Sequence, residues 1–95
     1  MSPTYENAVN LFSKRMLSRL DSNSGKGHWS ECEDSYLIRR LLEEVGELVE
    51  SIIDKEHTSL IVREAADVAN FAMMLADNRA KTDYTVKPEY RYYDT

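Results

Sequence analysis

The sequence predicts an all-α protein, an antiparallel helical bundle with a four-helix-bundle-like core that is completed by oligomerisation. Apolar residues recur at helical spacing in three long stretches, which are separated by short polar or glycine-containing connections. The third stretch is apolar on nearly its whole circumference, so it requires burial on most sides. Three helices in a chain of 95 residues cannot easily surround such a helix, and a partner subunit is expected to complete its burial.

The first helix is predicted over residues 3–20. Ser2 followed by Pro3 fits an N-cap with proline at the first helical position, where its missing N–H does no harm. Apolar residues then recur at helical spacing as far as Leu20. The run DSNSGKG, residues 21–27, contains two glycines and no periodicity, and therefore ends the helix.

The second and third helices are predicted over residues 31–54 and 59–78. Ser30 and Glu33 have the spacing of a capping box, and the apolar stripe of the second helix is centred near Val45. The polar run DKEHT, residues 54–58, turns the chain back. We predict one helical domain over residues 1–80, followed at 81–95 by an irregular, tyrosine-rich tail packed on the domain or on a partner subunit.

Composition and charge exclude several classes of partner. A net charge of −5 argues against a nucleic-acid polymer, because proteins that neutralise many phosphates usually display a clustered basic face. No run of about 18 apolar residues could span a bilayer, and no signal-peptide pattern precedes the first helix. Cys32 lies between two glutamates, which disfavour its thiolate, so it is not expected to be a nucleophile. The expected location is the cytoplasm, without a membrane partner.

Four carboxylates occupy matching positions on the second and third helices. Glu44 and Glu47 stand three residues apart, as do Glu64 and Asp67, and residues at this spacing share one face of a helix. Glu64 and Asp67 share their face with apolar residues such as Phe71, where an unpaired carboxylate costs several kcal/mol. Arg63 diverges by about 100° around the helix and is a poor partner for them. This reasoning leaves a cation as the only solution.

Four carboxylates without a histidine or thiolate favour a hard ion, Mg²⁺ or alternatively Mn²⁺. The chemistry that follows most naturally is phosphoryl or nucleotidyl transfer to water, with Glu43 as the general base that holds the water. The alternative is structural, since glutamate-rich helical segments are usually solvated faces. EExxE alone does not decide between the two; the second acidic pair favours the metal.

The segment EEVGE, residues 43–47, followed after 16 residues by EAAD, residues 64–67, resembles the two-part signature of the MazG-like all-α nucleoside triphosphate pyrophosphohydrolases. This superfamily also contains the dimeric dUTPases and phosphoribosyl-ATP pyrophosphatase, and the resemblance covers roughly residues 5–80. It implies a helical homodimer or homotetramer that uses Mg²⁺ to cleave a nucleotide between its α- and β-phosphates. By motif position it implies metal ligands at Glu44, Glu47, Glu64 and Asp67, and a water-activating role for Glu43.

Four further residues are candidates for substrate binding. Trp29 resembles the family tryptophan that stacks on the base, but it could equally be an apolar contact at the helix entry. Asn70 could offer its amide to a sugar or base, or could join two helices. Arg79 and Lys81 could meet phosphates, or could complement the dipole of the third helix. Phe71 stands where relatives often carry a tyrosine, so the resemblance does not transfer substrate preference.

The leading hypothesis is a Mg²⁺-dependent pyrophosphohydrolase that removes surplus or non-standard (deoxy)nucleoside triphosphates, giving the monophosphate and pyrophosphate. Phosphoribosyl-ATP pyrophosphatase is the alternative within the superfamily. A non-catalytic helical interaction or regulatory dimer, which binds metal only for its structure, is the alternative from another class.

Overall fold

The computed structural model describes residues 3–86 of the 95, and this part of the chain is all-helical, without a strand. Three long helices, α1 (Pro3–Ser22), α2 (Asp34–Ile53) and α3 (Thr58–Val86), are joined by two short connections. The first connection contains single 3₁₀ turns at Ser24–Lys26 and Trp29–Glu31. The predicted all-α class is therefore confirmed for these residues.

Helix α3 is the central element. Both α1 and α2 pack against it, much more extensively than they pack against each other. Leu37 on α2 and Ala66 on α3 are the fully buried apolar residues among those described. The small alanine allows close approach of a neighbouring helix to the middle of α3, which is also the part that carries Glu64 and Asp67.

Two predicted helix limits are wrong. Helix α3 continues to Val86 rather than ending near residue 78, so residues 81–86 of the predicted irregular tail are helical. The prediction for residues 87–95, including Tyr90, lies outside the described residues. Helix α2 begins at Asp34 rather than near 31, because residues 29–31 form a separate 3₁₀ turn.

The predicted capping box of Ser30 and Glu33 is also wrong. Glu33 is itself the residue that precedes α2, and its side chain makes no capping hydrogen bond. The Ser30 amide instead donates to Nδ1 of His28 at 3.0 Å. The Ser59 amide donates in the same way to Nδ1 of His57 at 3.1 Å. Both histidines thus stabilise turns at helix entries, as expected of loop histidines.

The turn between α2 and α3 has a defined geometry that fixes how the two acid-bearing helices follow each other. The Glu56 amide donates to the carbonyl of Ser51 at 2.9 Å, and the Lys55 amide to that of Ile52 at 3.2 Å, which is the Schellman pattern of a helix C-terminus. Lys55 occupies the left-handed position, with φ of 57°, where glycine is usual.

Of the helices described, none is long and apolar enough to cross a membrane.

Candidate functional site

Glu47 lies near enough to two other predicted metal ligands, Glu44 on its own helix and Glu64 on α3, for their charges to affect its pKa. Glu44 and Glu64 are buried, with 6% and 9% of their surface exposed, whereas Glu47 is exposed. Repulsion by Glu44 is the largest cause that raises the pKa of Glu47 above its ordinary value of 4.5, with partial desolvation and repulsion by Glu64 adding to it. Glu47 is therefore near enough to Glu44 and Glu64 to be repelled by both, although it is itself exposed.

Asp67, the fourth predicted ligand, is bound by an arginine from α1. Nε of Arg19 donates to Oδ1 of Asp67 at 2.9 Å, and its Nη2 donates to Oδ2 at 3.1 Å. This bidentate pair is partly buried, and the hydrogen bond to Asp67 raises the pKa of Arg19 further above its ordinary range. Arg19 therefore remains charged at all relevant pH values and ties α1 to α3.

Arg40 binds two of the predicted acids on its own helix. Its Nη1 donates to Oε1 of Glu43, and its Nη2 donates to Oε2 of Glu44 at 3.0 Å. The guanidinium also lies over the ring of Phe71, with 5.1 Å between Cζ and the ring centroid. Glu43, the predicted general base, is thus paired with an arginine that also neutralises a predicted ligand.

Glu64 is held by a hydroxyl. Oγ of Ser51 donates to Oε1 of Glu64, and both residues are buried between α2 and α3. Ser51 lies seven residues after Glu44, so that both face α3 from the same side of α2. The buried glutamates on the two helices therefore each have a protein donor, one a guanidinium and the other a hydroxyl.

These contacts correct one step of the sequence reasoning. The inference that only a cation could satisfy the buried acids is wrong, because Arg19, Arg40 and Ser51 do so in the folded chain. Arg40 could have been found from sequence, since it precedes Glu43 by three residues and Glu44 by four, which places all three on one helix face. Arg19 could not, because its contact with Asp67 depends on how α1 packs against α3.

The chemistry of this donor set fits a hard divalent cation, since it consists of carboxylate oxygens without nitrogen or sulfur ligands. Its arrangement is less direct. Within residues 3–86, no three acidic, histidine or cysteine side chains are grouped so that they could hold a metal ion as they stand. An ion bound by Asp67 and Glu44 would have to share these carboxylates with their arginine partners or displace the arginines. The assignment of the four ligands stays a prediction.

Asn70 has both a structural contact and an unused atom. Its Nδ2 donates to the main-chain carbonyl of Met16 at 3.0 Å, which joins α3 to α1 one turn away from the Arg19–Asp67 pair. Only 3% of the residue is exposed, and its Oδ1 is buried without a hydrogen-bond partner. The helix-contact role considered from sequence is therefore present, and one acceptor remains for a ligand or water.

The other predicted substrate-binding residues form a second group further along α3. Nε1 of Trp29 donates to Oδ2 of Asp77 at 2.9 Å, and Asn78 donates to the Trp29 carbonyl at 3.0 Å. Lys81 pairs with Asp77 at 2.9 Å, and Arg79 pairs with Asp34 at 3.2 Å. Asp67 and Asp77 are ten residues apart on one helix, so the two groups are separated by about 15 Å along its axis.

The ring of Trp29 is stacked on His28, with 4.0 Å between the centroids and 28° between the planes. The hydrogen bond from Trp29 and the ion pair with Lys81 hold the pKa of Asp77 below its ordinary value of 3.8. A lowered pKa means that these contacts stabilise the fold above pH 3.8, and that this contribution is lost as pH falls through the folded value.

We predict that Asp77→Ala frees the indole and shifts the fluorescence emission of Trp29 to longer wavelength at pH 7. Because Trp29 is the sole tryptophan, its emission reports this corner of the molecule alone. The wild-type emission should approach that of the variant only below pH 3.8. Asp21→Ala, a change at an exposed aspartate of α1, is the control. Identical emission from Asp77→Ala and the wild type at pH 7 would show that the hydrogen bond does not hold the ring.

Comparisons with known protein families, with characterised proteins and with solved structures found no match to this chain. The described residues define an all-helical protein with a group of carboxylates on α2 and α3, in which arginines pair with Glu44 and Asp67. Function has to be argued from that cluster.

Proposed function

We propose that the protein is a Mg²⁺-dependent nucleoside triphosphate pyrophosphohydrolase that acts in nucleotide-pool housecleaning in the cytoplasm. The observation that carries this proposal is the position of Glu47 beside Glu44 and Glu64, where mutual repulsion raises its pKa. A bound cation would relieve this repulsion, and ionisable groups with perturbed pKa values cluster at functional sites.

In this proposal Glu44, Glu47, Glu64 and Asp67 hold Mg²⁺, or Mn²⁺ in its place. The ion, when bound, offsets the charge of the phosphates and lowers the pKa of the attacking water. Glu43 accepts a proton from that water, and Arg40 positions Glu43 beside Glu44. The water oxygen bonds to a phosphorus of the α–β anhydride, the bond from that phosphorus to the bridging oxygen breaks, and the products are a nucleoside monophosphate and pyrophosphate. Trp29 stacks on the base, Asn70 offers Oδ1 to sugar or base, and Arg79 and Lys81 attract phosphates.

The finer architecture is part of the same proposal. We infer an antiparallel helical bundle whose four-helix-bundle-like core is completed in a homodimer or homotetramer. The support is the large apolar surface that α1 and α2 leave exposed in a single chain, including Val9, Leu17 and Leu42. The sequence placed the uncovered surface on the third helix; in the described residues it lies mainly on the two helices that flank it.

The direct test is a panel of ribo- and deoxyribonucleoside triphosphates incubated with the protein and Mg²⁺, with the products separated by chromatography. We expect monophosphate and pyrophosphate from at least one nucleotide, and none after chelation of the metal. Asp67→Asn should remove the activity, whereas Glu31→Gln, at an exposed acid outside the cluster, should retain it. Inorganic phosphate and diphosphate as products, or no hydrolysis of any nucleotide, would contradict the proposal. Phosphoribosyl-ATP belongs in the panel as the substrate of the alternative enzyme.

A non-catalytic role is the second candidate, and the arginine pairing of the acids favours it. Arg19 and Arg40 already pair with Asp67 and Glu44, which gives these two acids a role in joining and stabilising the helices. Thermal denaturation separates the candidates. If the site is structural, Mg²⁺ alone should give the full increase in unfolding temperature. If the protein is the enzyme, Mg²⁺ together with a non-hydrolysable nucleotide should raise the unfolding temperature clearly more than Mg²⁺ alone.

A further inference from the structure

The outer face of α2 carries a continuous apolar surface that nothing in the described part of the chain covers. We call it the α2 stripe, and its members are Ile38, Leu42, Val45, Val49, Ile52 and Ile53. All six are exposed, with Leu42 and Ile53 at 66% and 70%. The stripe lies on a different side of the helix from the buried residues Leu37, Glu44 and Ser51 that face α3.

The spacing of the α2 stripe is that of a helix that packs against another long helix. Residues 38, 42, 45, 49 and 52 alternate steps of four and three, which is the a/d repeat of a coiled-coil seam. An ordinary solvated face has no reason to keep this repeat over four turns. The occupant that fits the α2 stripe is therefore another helix of similar length lying nearly parallel to its axis.

The charges beside the α2 stripe favour a second copy of α2 in antiparallel orientation. Arg39 and Glu50 are exposed and lie on the same flank, within about 20° of each other around the helix, but at opposite ends of the stripe. A two-fold axis perpendicular to both helices makes the two copies of α2 antiparallel. Each flank then lies beside the same flank of the partner helix, and the N-terminal end of one lies beside the C-terminal end of the other. Arg39 of each copy then faces Glu50 of the other, so the surface is complementary to itself.

Gly46 lies on that flank between Arg39 and Glu50. A Cβ placed on Gly46 would meet no atom within 4 Å, so no contact inside the chain explains a glycine in the middle of α2. Glycine there costs the helix about 1 kcal/mol relative to alanine. Close approach of a second backbone is the use that such a position serves in helix pairs.

The area is sufficient for a stable pair. Complete burial of the six exposed residues would remove up to about 600 Å² per copy, so a two-fold pair could bury up to about 1,200 Å², comparable with the roughly 1,000 Å² expected of a specific interface. We propose that the protein self-associates through the α2 stripe as an antiparallel α2–α2 pair. This assignment rests on the proposed oligomerisation but not on the proposed hydrolysis, so the two can fail separately.

The experiment is sedimentation velocity of the full-length chain over a concentration series from about 1 to several hundred micromolar. We expect the wild type to be dimeric or larger, and Leu42→Glu to raise the dissociation constant of the α2 pair by about 30-fold or more, as at an interface centre. Because Leu42 is exposed in the single chain, circular dichroism should show unchanged helix content. Leu11→Glu makes the same change at a similarly exposed site on α1 and should leave that pair intact.

A charge exchange tests the orientation without touching the apolar surface. Arg39→Glu and Glu50→Arg should each weaken association by about 3–10-fold, since each creates two like-charged contacts per pair. The double variant should return to the wild-type dissociation constant. A monomer at every concentration, as would follow if residues 87–95 covered the stripe, overturns the proposal. So does association that Leu42→Glu leaves unchanged, or a double variant that is weaker than both single variants.

Discussion

Glu47→Gln is expected to abolish metal-dependent hydrolysis and, at the same time, to stabilise the metal-free protein. In the proposed function Glu47 is a direct ligand, and its loss should exceed the roughly 10–100-fold loss that outer partners of a metal site cause. The stabilisation follows from the raised pKa of Glu47, because ionising a carboxyl with a raised folded pKa costs folding free energy. Glu47 is exposed and its repulsion is screened, so we expect about 0.2–1 kcal/mol, to be measured by urea denaturation at pH 7.

The pH dependence of this gain has a defined sign. The cost of ionised Glu47 develops as pH rises from the ordinary glutamate pKa of 4.5 through the raised value, and it is fully present above that value. The difference in stability between Glu47→Gln and wild type should therefore be present at pH 7 and vanish below pH 4.5. Glu56→Gln, at an exposed glutamate in the turn after α2, is the control for the loss of a charge. A destabilised Glu47→Gln variant at pH 7 would show that the carboxylate is a structural group.

Arg40→Met is expected to destabilise the fold by about 1–3 kcal/mol, because it leaves Glu44 buried without its charged partner. Methionine keeps most of the apolar stem that lies against Phe71, so the effect reports the lost charge and hydrogen bonds. For a domain of this size the unfolding temperature should fall by about 4–8 °C for each kcal/mol. Arg63→Met, at an exposed arginine of α3, should change it little.

A double-mutant cycle assigns this effect to Glu44. Glu44→Gln in the Arg40→Met background removes the unpaired charge and should recover a substantial part of the loss. Equal losses from Arg40→Met and from the double variant would instead place the contribution of Arg40 in its contact with Phe71. Glu43 is half exposed, and its pair with Arg40 is expected to matter much less than that of Glu44.

The helices could be predicted from sequence because their signals are local. Helix starts and ends are marked by signals that act within a few residues, namely Pro3, the glycine-containing run before residue 28 and the DKEHT turn. The helices of the structure begin and end close to these signals. The C-terminal limit of α3 failed for the same reason, since residues 79–86 lack an apolar stripe and nothing local stops the helix before Val86. The capping box failed because His28 competes for the Ser30 amide.

The acidic cluster could be predicted only in part. Helical spacing placed Glu44 beside Glu47 and Glu64 beside Asp67. The proximity of Glu47 to Glu64 follows from the packing of α2 on α3. The side chains that pair with these acids are harder to predict from sequence. Arg19 reaches Asp67 from 48 positions earlier in the chain, and Trp29 reaches Asp77 over the same separation. Such contacts depend on how a third element packs, which no local pattern encodes.

Helix α3 is uninterrupted, so it fixes the distance between the two groups of candidate residues. Asp67 of the acidic group and Asp77, which binds Trp29, both lie on this helix. Their separation of about 15 Å is therefore set by the rise per residue of the helix and not by a loop that can close. A compound that touches both ends must itself have that length. The protein would then discriminate among compounds first by how far their polar and aromatic ends are apart, before any hydrogen bond reads their identity.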